Sequence, residues 1–245
     1  MLITDWHDRY EEQARWTQPL RHFILTKIPI QSNWSVLELG CGTGAILQDF
    51  NLISERVVGL DRDLDALVIQ GVNQALLVNA DAENPPFQEN FYDLIYCHYF
   101  LLWLKNPVTV IEAAKRLLKP SGYLAVFAEP DYTSRQTAPE TLIKLADLQN
   151  KSLVAQGAYL DVGRQLGKLL IDSGFDLQEF GSINEAKPIL RGLTESEKNI
   201  LRSDWEFLAR TKQTEITKAE LEELLLLKTE HWYVPTYYAL AKLKK

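Results

Sequence analysis

Residues 35–44 have the sequence Ser35-Val36-Leu37-Glu38-Leu39-Gly40-Cys41-Gly42-Thr43-Gly44. The segment begins as an apolar run with a β-branched residue, a pattern typical of a buried strand. Three glycines at alternate positions then interrupt it, and the residues that follow predict a helix over 43–50. Because glycine has no Cβ, the backbone can turn sharply there and a ligand can approach closely. A strand, a glycine loop and a helix in this order predict the ligand-binding edge of an α/β sheet.

Two carboxylates near this segment indicate what the ligand carries. Glu38 is in the predicted first strand, where a carboxylate suits an ammonium group better than a phosphate. Asp61 ends the predicted second strand and lies 61 − 40 = 21 residues after Gly40, close to the spacing of about 20 for a ribose-binding acid. Asp61 could instead cap the next helix, for which Asp63 is an equally good candidate.

The motif from Glu38 to Gly44 resembles the E-x-G-x-G-x-G signature of class I S-adenosylmethionine-dependent methyltransferases. Later segments, such as 81–87 and 118–128, match that family in order over about residues 30–130. The resemblance implies an α/β, Rossmann-like doubly wound sheet of seven strands. Their expected order is 3-2-1-4-5-7-6, with the last strand antiparallel.

The resemblance also implies S-adenosyl-L-methionine as the cofactor. The glycine loop and Glu38 are expected to hold its methionine part, Asp61 its ribose, and Asp81 with Ala82 its adenine. Asp81 could also be a solvated turn acid. The full set of expected cofactor contacts is Tyr10, Glu38, Gly40, Cys41, Gly42, Gly44, Asp61, Arg62, Asp81, Ala82 and His98.

The ends of the fourth and fifth predicted strands, 91–97 and 123–128, point to the substrate. Ligands in open α/β sheets bind beyond the carboxyl ends of the strands. We expect catalytic roles for His98 and Asp131, although a lone histidine is often structural. The expected substrate contacts are Tyr99, Glu129 and Tyr132. Arg164 either begins a helix or reaches back to this cleft.

Helical segments are expected to surround this core within one methyltransferase domain over 1–245. Residues 5–28 predict a helix, or a pair of helices separated by Pro19. This segment either packs on the flank of the domain or belongs to an N-terminal lid, formed by residues 1–30, that covers the cofactor. Insertions over 131–160 and 194–230 are expected to cap the substrate, or to form an oligomer interface. The other predicted elements are strands at 75–78, 175–180 and 231–243 and helices at 64–72, 136–156, 164–173, 195–210 and 217–229.

The composition of the chain indicates which kinds of binding partner to expect. The 245 residues carry a formal charge of −7, which disfavours a nucleic-acid substrate. Two cysteines without metal-ligand spacing favour a reducing cytoplasm, and we expect no metal site. No signal-like or membrane-spanning apolar run is found, so no membrane partner is expected. A monomer and a homodimer both remain open.

The predicted activity is methyl transfer to a small molecule by in-line displacement, which needs alignment more than a catalytic motif. The sequence Cys97-His98-Tyr99-Phe100 replaces the N/D-P-P-Y/F motif that relatives use on DNA or protein nitrogens. Two alternatives are a nicotinamide-dependent oxidoreductase, since residues 40–45 also satisfy G-x-G-x-x-A, and a catalytically silent S-adenosylmethionine-binding partner protein. A carboxylate at position 38, near a pyrophosphate, opposes the oxidoreductase.

Overall fold

A seven-stranded sheet forms the centre of the molecule, which is seen here in a computed structural model that describes residues 3–69, 75–183, 191–229 and 231–244. The strands are β1 (Ser35–Leu39), β2 (Arg56–Asp61), β3 (Leu76–Asn79), β4 (Tyr92–His98), β5 (Leu118–Pro130), β6 (Gln136–Ala138), β7 (Phe175–Ile183), β8 (Arg191–Gly192), β9 (Lys228–Thr229), β10 (His231–Tyr233) and β11 (Thr236–Leu243).

The order of the central sheet is β3-β2-β1-β4-β5-β11-β7. The first five of these strands pair in parallel, and β11 is antiparallel to both β5 and β7. Counted along the chain within this sheet, the order is 3-2-1-4-5-7-6. The predicted fold class, strand order and antiparallel last strand are therefore confirmed.

Helices cover both faces of the sheet because successive side chains of a buried strand point in opposite directions. Val36 packs with α1 and α2, whereas Leu37 belongs to the cluster that contains α4 and α6. The helices are α1 (Ile3–Leu25), α2 (Leu47–Asn51), α3 (Leu64–Ile69), α4 (Pro107–Leu117), α5 (Ile143–Ala155), α6 (Val162–Asp172), α7 (Glu195–Arg210) and α8 (Lys218–Leu225).

The N-terminal helix α1 continues through Pro19, so the alternative of two helices separated there was wrong. A proline inside a helix removes one N–H donor and crowds the preceding turn. Two side chains of α1 donate to backbone carbonyls of the same helix: the Arg21 guanidinium lies 2.8 Å from the carbonyl of Ala14, and the Thr17 hydroxyl lies 2.8 Å from that of Gln13. Neither is the carbonyl of Arg15, which Pro19 deprives of its donor, so we attribute the continuity of α1 to its apolar packing on the sheet.

Several predicted boundaries move. The helix expected from residue 43 begins at Leu47, and the one expected from 136 begins at Ile143, because 136–138 pair with β10. The single last strand expected over 231–243 is two strands, interrupted at residues 234–235, where Pro235 has no N–H to donate. The end of the helix expected over 64–72 lies partly outside the described residues.

The helices α5, α7 and α8, which we call the helical cap, bury a leucine cluster of their own. The predicted start of α7 is confirmed: Thr194 and Glu197 form a reciprocal capping box. A buried polar bond, from the Ser152 hydroxyl to Asp204 Oδ1 at 2.8 Å, joins α5 to α7. The two predicted insertions thus pack against each other.

Candidate functional site

The glycine loop turns away from β1 through backbone angles that favour glycine. The φ angles of Gly40, Gly42 and Gly44 are 70°, 53° and 72°, in the left-handed region. The N–H groups of Gly40 and Cys41 donate to the carbonyl of Leu60 at 2.8 and 3.0 Å. The loop is therefore anchored to the end of β2.

Asp61 fastens the same loop from the tip of β2. Its Oδ2 accepts from the N–H of Gly42 at 2.7 Å, and its Oδ1 accepts from the N–H of Asp63 at 2.8 Å. Capping of α3 belongs to Asp63, whose Oδ1 accepts from the N–H of Asp65 at 3.0 Å. Two roles were considered for Asp61, and one of them, capping of α3, is thus performed by Asp63.

The ends of β2 and β3 lie side by side, so the acids that follow them share one edge of the sheet. Asp61 is in register with Asn79, whose side-chain amide donates to the carbonyl of Arg62 at 2.9 Å. Asp81 is exposed and accepts from the N–H of Glu83 at 2.9 Å, while Ala82 is buried. The expected ribose and adenine contacts are thus brought to one edge.

Glu38 lies beneath the glycine loop. Its residue is 2% exposed, and its Oε2 accepts from the Tyr96 hydroxyl at 3.1 Å. Burial raises the pKa of the Glu38 carboxyl, against the lowering effects of the Tyr96 hydrogen bond and of Arg21. The predicted contact between this carboxylate and the cofactor stays a prediction.

Two aromatic rings cover the loop. A Cβ built on Gly42 would be 3.4 Å from the ring of Tyr10, and one built on Gly40 would be 2.1 Å from the ring of Phe100. His7 adds a bond between its Nδ1 and the Thr43 hydroxyl oxygen at 2.9 Å. The sequence indicated Tyr10 but missed Phe100 and His7, which have no motif around them.

His98 is bound to the N-terminal helix. Its Nε2 lies 2.9 Å from the Thr17 hydroxyl oxygen, which also accepts from Arg21 Nη1 at 2.6 Å. Burial, and next the charge of Arg21, lower the pKa of His98 from 6.5 to about 3. An imidazole that resists protonation so strongly does not fit the predicted role of a general base.

Glu129 and Asp131 are fully buried and bonded within the chain, so the predicted substrate contact and catalytic role do not fit their geometry. The Glu129 carboxylate accepts from the N–H groups of residues 100, 101 and 102 at 2.9, 2.9 and 3.2 Å. Asp131 caps the short turn 132–134 by accepting from the N–H groups of Thr133 and Ser134. Arg164 is exposed at the start of α6, where it donates to Asp161 at 2.9 Å.

A cavity of about 680 Å³ lies between α1, the helical cap and the carboxyl ends of β4 and β5. Five aromatic residues contribute to its wall, namely Trp16, Tyr99, Tyr132, Trp232 and Tyr233. Tyr99 and Tyr132 were expected at the substrate site. Arg135 and Trp232 were missed, because three-residue strands such as β6 and β10 leave no periodic pattern.

A family model described as "Methyltransferase domain" matches residues 37–126. The chain is 29% identical over 157 residues to the malonyl-[acyl-carrier protein] O-methyltransferase of Marinomonas sp. (strain MWYL1), which covers 60% of this chain and 56% of that protein. Residues 37–126 therefore form a methyltransferase domain, and the chain has the fold of the class I S-adenosylmethionine-dependent methyltransferases. It spans about half the length of the curated relatives it matches.

Solved structures share the methyltransferase fold. The YcgJ protein from Bacillus subtilis superposes with a TM-score of 0.63 at 13% identity, covering 91% of this chain and 97% of that one. Phosphoethanolamine N-methyltransferase 2 of Haemonchus contortus, solved with S-adenosylhomocysteine and phosphomonomethylethanolamine, has a TM-score of 0.58 at 17% identity and covers 94% of this chain and 53% of that one.

S-adenosylmethionine is the cofactor of this methyltransferase family, and the residues present fit it. Glycines without side chains form a backbone cradle, and the carboxylates of Asp61 and Asp81 lie at the adjoining strand ends. Carboxylates suit hydroxyl and amine donors. An acid at the end of β2 would also suit the ribose of a nicotinamide cofactor, so the choice between the two cofactors rests on the matched methyltransferase domain. The oxidoreductase alternative is therefore set aside.

The described parts of the chain were searched for a metal site, a reactive thiol and a membrane-spanning helix. Within them, no three His, Cys, Asp or Glu residues converge on a metal position. Burial raises the pKa values of the Cys41 and Cys97 thiols, which keeps both unreactive. Across the same residues, every helix is too short or too polar to span a bilayer.

Proposed function

We propose that the chain transfers a methyl group from S-adenosylmethionine to a small-molecule acceptor held in the aromatic cavity. The observation that carries this proposal is the position of the cavity at the end of β4. Tyr99 contributes to its wall, and the next residue, Phe100, covers Gly40 of the cofactor loop. The acceptor site and the cofactor site therefore meet at two consecutive residues.

The bound cofactor would supply a methyl group already activated by its sulfonium. In this proposal the glycine loop holds the methionine part, Asp61 the ribose hydroxyls, and Asp81 with Ala82 the adenine. The helix α1 closes over them, with Tyr10 against Gly42 and His7 bonded to Thr43. Such closure excludes water from the reacting groups.

The residues around the cavity position the acceptor, and none of the expected acids or bases is suited to take its proton. His98 is held neutral by its low pKa, while Glu129 and Asp131 are committed to backbone N–H groups. Burial raises the pKa values of Tyr99 and Tyr132, so neither is ionised at neutral pH. Alignment alone can contribute roughly 7–11 kcal/mol to lowering a barrier. We infer an acceptor atom that is nucleophilic at neutral pH without a strong protein base.

The test combines binding with turnover. Purified protein is incubated with a small-molecule extract and S-adenosylmethionine labelled in its methyl group, and products are sought by mass spectrometry. A labelled small molecule that disappears with Asp61→Ala but persists with Asp65→Ala would support the proposal. Tight binding of S-adenosylhomocysteine without any labelled product would favour the silent partner protein instead.

A further inference from the structure

One guanidinium group in the cavity has hydrogen-bonding capacity that the fold leaves unused. Arg135 follows the turn 132–134 and directly precedes β6, and its Cζ lies 5.3 Å from the ring centre of Tyr132 and 4.8 Å from that of Trp232. Both rings also line the cavity. Stacking of this kind suits the planar guanidinium and holds it in one orientation.

Two of the three nitrogens of this guanidinium have no hydrogen-bond partner. Nη2 donates to the side-chain oxygen of Gln149, whereas Nε and Nη1 are buried and unpaired within the described part of the chain. A buried donor without an acceptor is costly, and a charged one more so. Since two aromatic rings flank the group, an acceptor would approach along the guanidinium plane.

One buried carboxylate among the described residues lies near Arg135. Arg135 and Arg9 both line the cavity, and the buried carboxylate of Asp204 interacts with both. Farther out, Arg191 is bonded to Glu197, and the exposed Glu12 is bonded to Ser196. Asp147, which also acts on Arg135, is exposed to solvent, where its charge is screened. None of these acids accepts a hydrogen bond from Nε or Nη1 of Arg135 within the described residues.

We propose that the acceptor of this methyltransferase carries a carboxylate, which Arg135 binds between Tyr132 and Trp232. This inference rests on the proposed function and names the class of its substrate. A carboxylate is a planar anion, so it can approach the guanidinium in the plane that the two rings leave open. Burial lowers the pKa of Arg135 only to about 10, so the guanidinium is charged at neutral pH.

The test compares acids with their uncharged counterparts. Octanoate, 2-naphthoate and indole-3-acetate are titrated calorimetrically beside their primary amides, with the protein saturated in S-adenosylhomocysteine. At least one acid is expected to bind about tenfold or more tightly than its amide, the effect of a charge-assisted hydrogen bond. Equal binding of every acid and its amide, or no binding of any acid, overturns the inference.

Substitutions test whether Arg135 causes the preference for acids over amides. Arg135→Met keeps the apolar stem between the two rings and is expected to abolish the preference for the acid. Arg135→Lys retains a cation and should keep part of it. Arg210→Gln, on the exposed side of α7, is the matched control and should bind like the wild type. Thermal unfolding of each variant verifies the fold, and an unchanged preference in a folded Arg135→Met protein overturns the inference.

The same titrations separate this inference from the proposed function. Binding of S-adenosylhomocysteine without a preference for acids would leave the methyltransferase proposal standing and remove the carboxylate. The protein could instead fail to bind S-adenosylhomocysteine and still bind acids more tightly than amides through Arg135. That result would remove the methyltransferase proposal and leave the carboxylate site standing.

Discussion

The Nε2 atom of His98 and the hydroxyl oxygen of Thr17 lie 2.9 Å apart, so the last residue of β4 is bonded to the N-terminal helix. The same hydroxyl oxygen accepts from Arg21, whose guanidinium also pairs with Asp49 of α2 at 2.7 Å. This chain of contacts joins α1 to both the sheet and α2. It keeps α1 over the glycine loop.

Thr17→Val should loosen the attachment of α1 to the sheet. The substitution preserves shape but leaves His98 without its partner and Arg21 with one acceptor fewer, at a cost of roughly 1–3 kcal/mol in the free energy of unfolding. Urea unfolding measures that loss, and hydrogen exchange over residues 3–25 should show faster opening of α1. Thr26→Val, which alters an exposed hydroxyl beyond the end of the helix, is the control. Equal exchange in both variants would show that Thr17 does not hold the helix.

His98 should make the protein less stable in acid. Its pKa is lowered on folding from 6.5 to about 3, so below pH 6.5 the unfolded chain binds a proton that the folded chain excludes. Stability is therefore lost as the pH falls from 6.5 towards 3, by up to about 2 kcal/mol at pH 5. His98→Gln should remove this part of the loss, and His22→Gln, on the exposed face of α1, should not. Urea unfolding of all three proteins at pH 7 and pH 5 measures the difference.

Asp61→Ala should weaken cofactor binding. The change removes the acceptor that holds the N–H of Gly42 at 2.7 Å, together with the proposed contact to the ribose. Loss of charge-assisted hydrogen bonds corresponds to about a 10- to 100-fold rise in the dissociation constant. Calorimetry with S-adenosylhomocysteine measures it, with Asp65→Ala as an exposed control on α3. Wild-type affinity in Asp61→Ala would refute the assignment.

The cofactor edge could be predicted from sequence because its parts are local. The glycine loop directly follows β1 and Asp61 is the last residue of β2, and parallel strands bring their carboxyl ends to one edge. The acceptor side depends on contacts that no local pattern encodes. Glu129 also lies at the carboxyl end of a strand, yet its carboxylate accepts hydrogen bonds from N–H groups of another loop. Arg135 and Trp232 meet only because β6 pairs with β10.

Glu129 should give the opposite pH dependence from His98. Burial raises its pKa from 4.5 to about 7, although three N–H groups favour the charged form. The folded chain therefore binds more protons than the unfolded chain between pH 4.5 and 7, and stability falls as the pH rises through that window, by at most roughly 3 kcal/mol. Glu129→Gln cannot titrate, so it should gain stability relative to the wild type between pH 5 and pH 8. Urea unfolding at both values measures this change, with Glu112→Gln on the surface of α4 as the control. A variant that instead loses stability relative to the wild type at pH 8 would mean that the three N–H groups outweigh burial and keep this carboxylate charged.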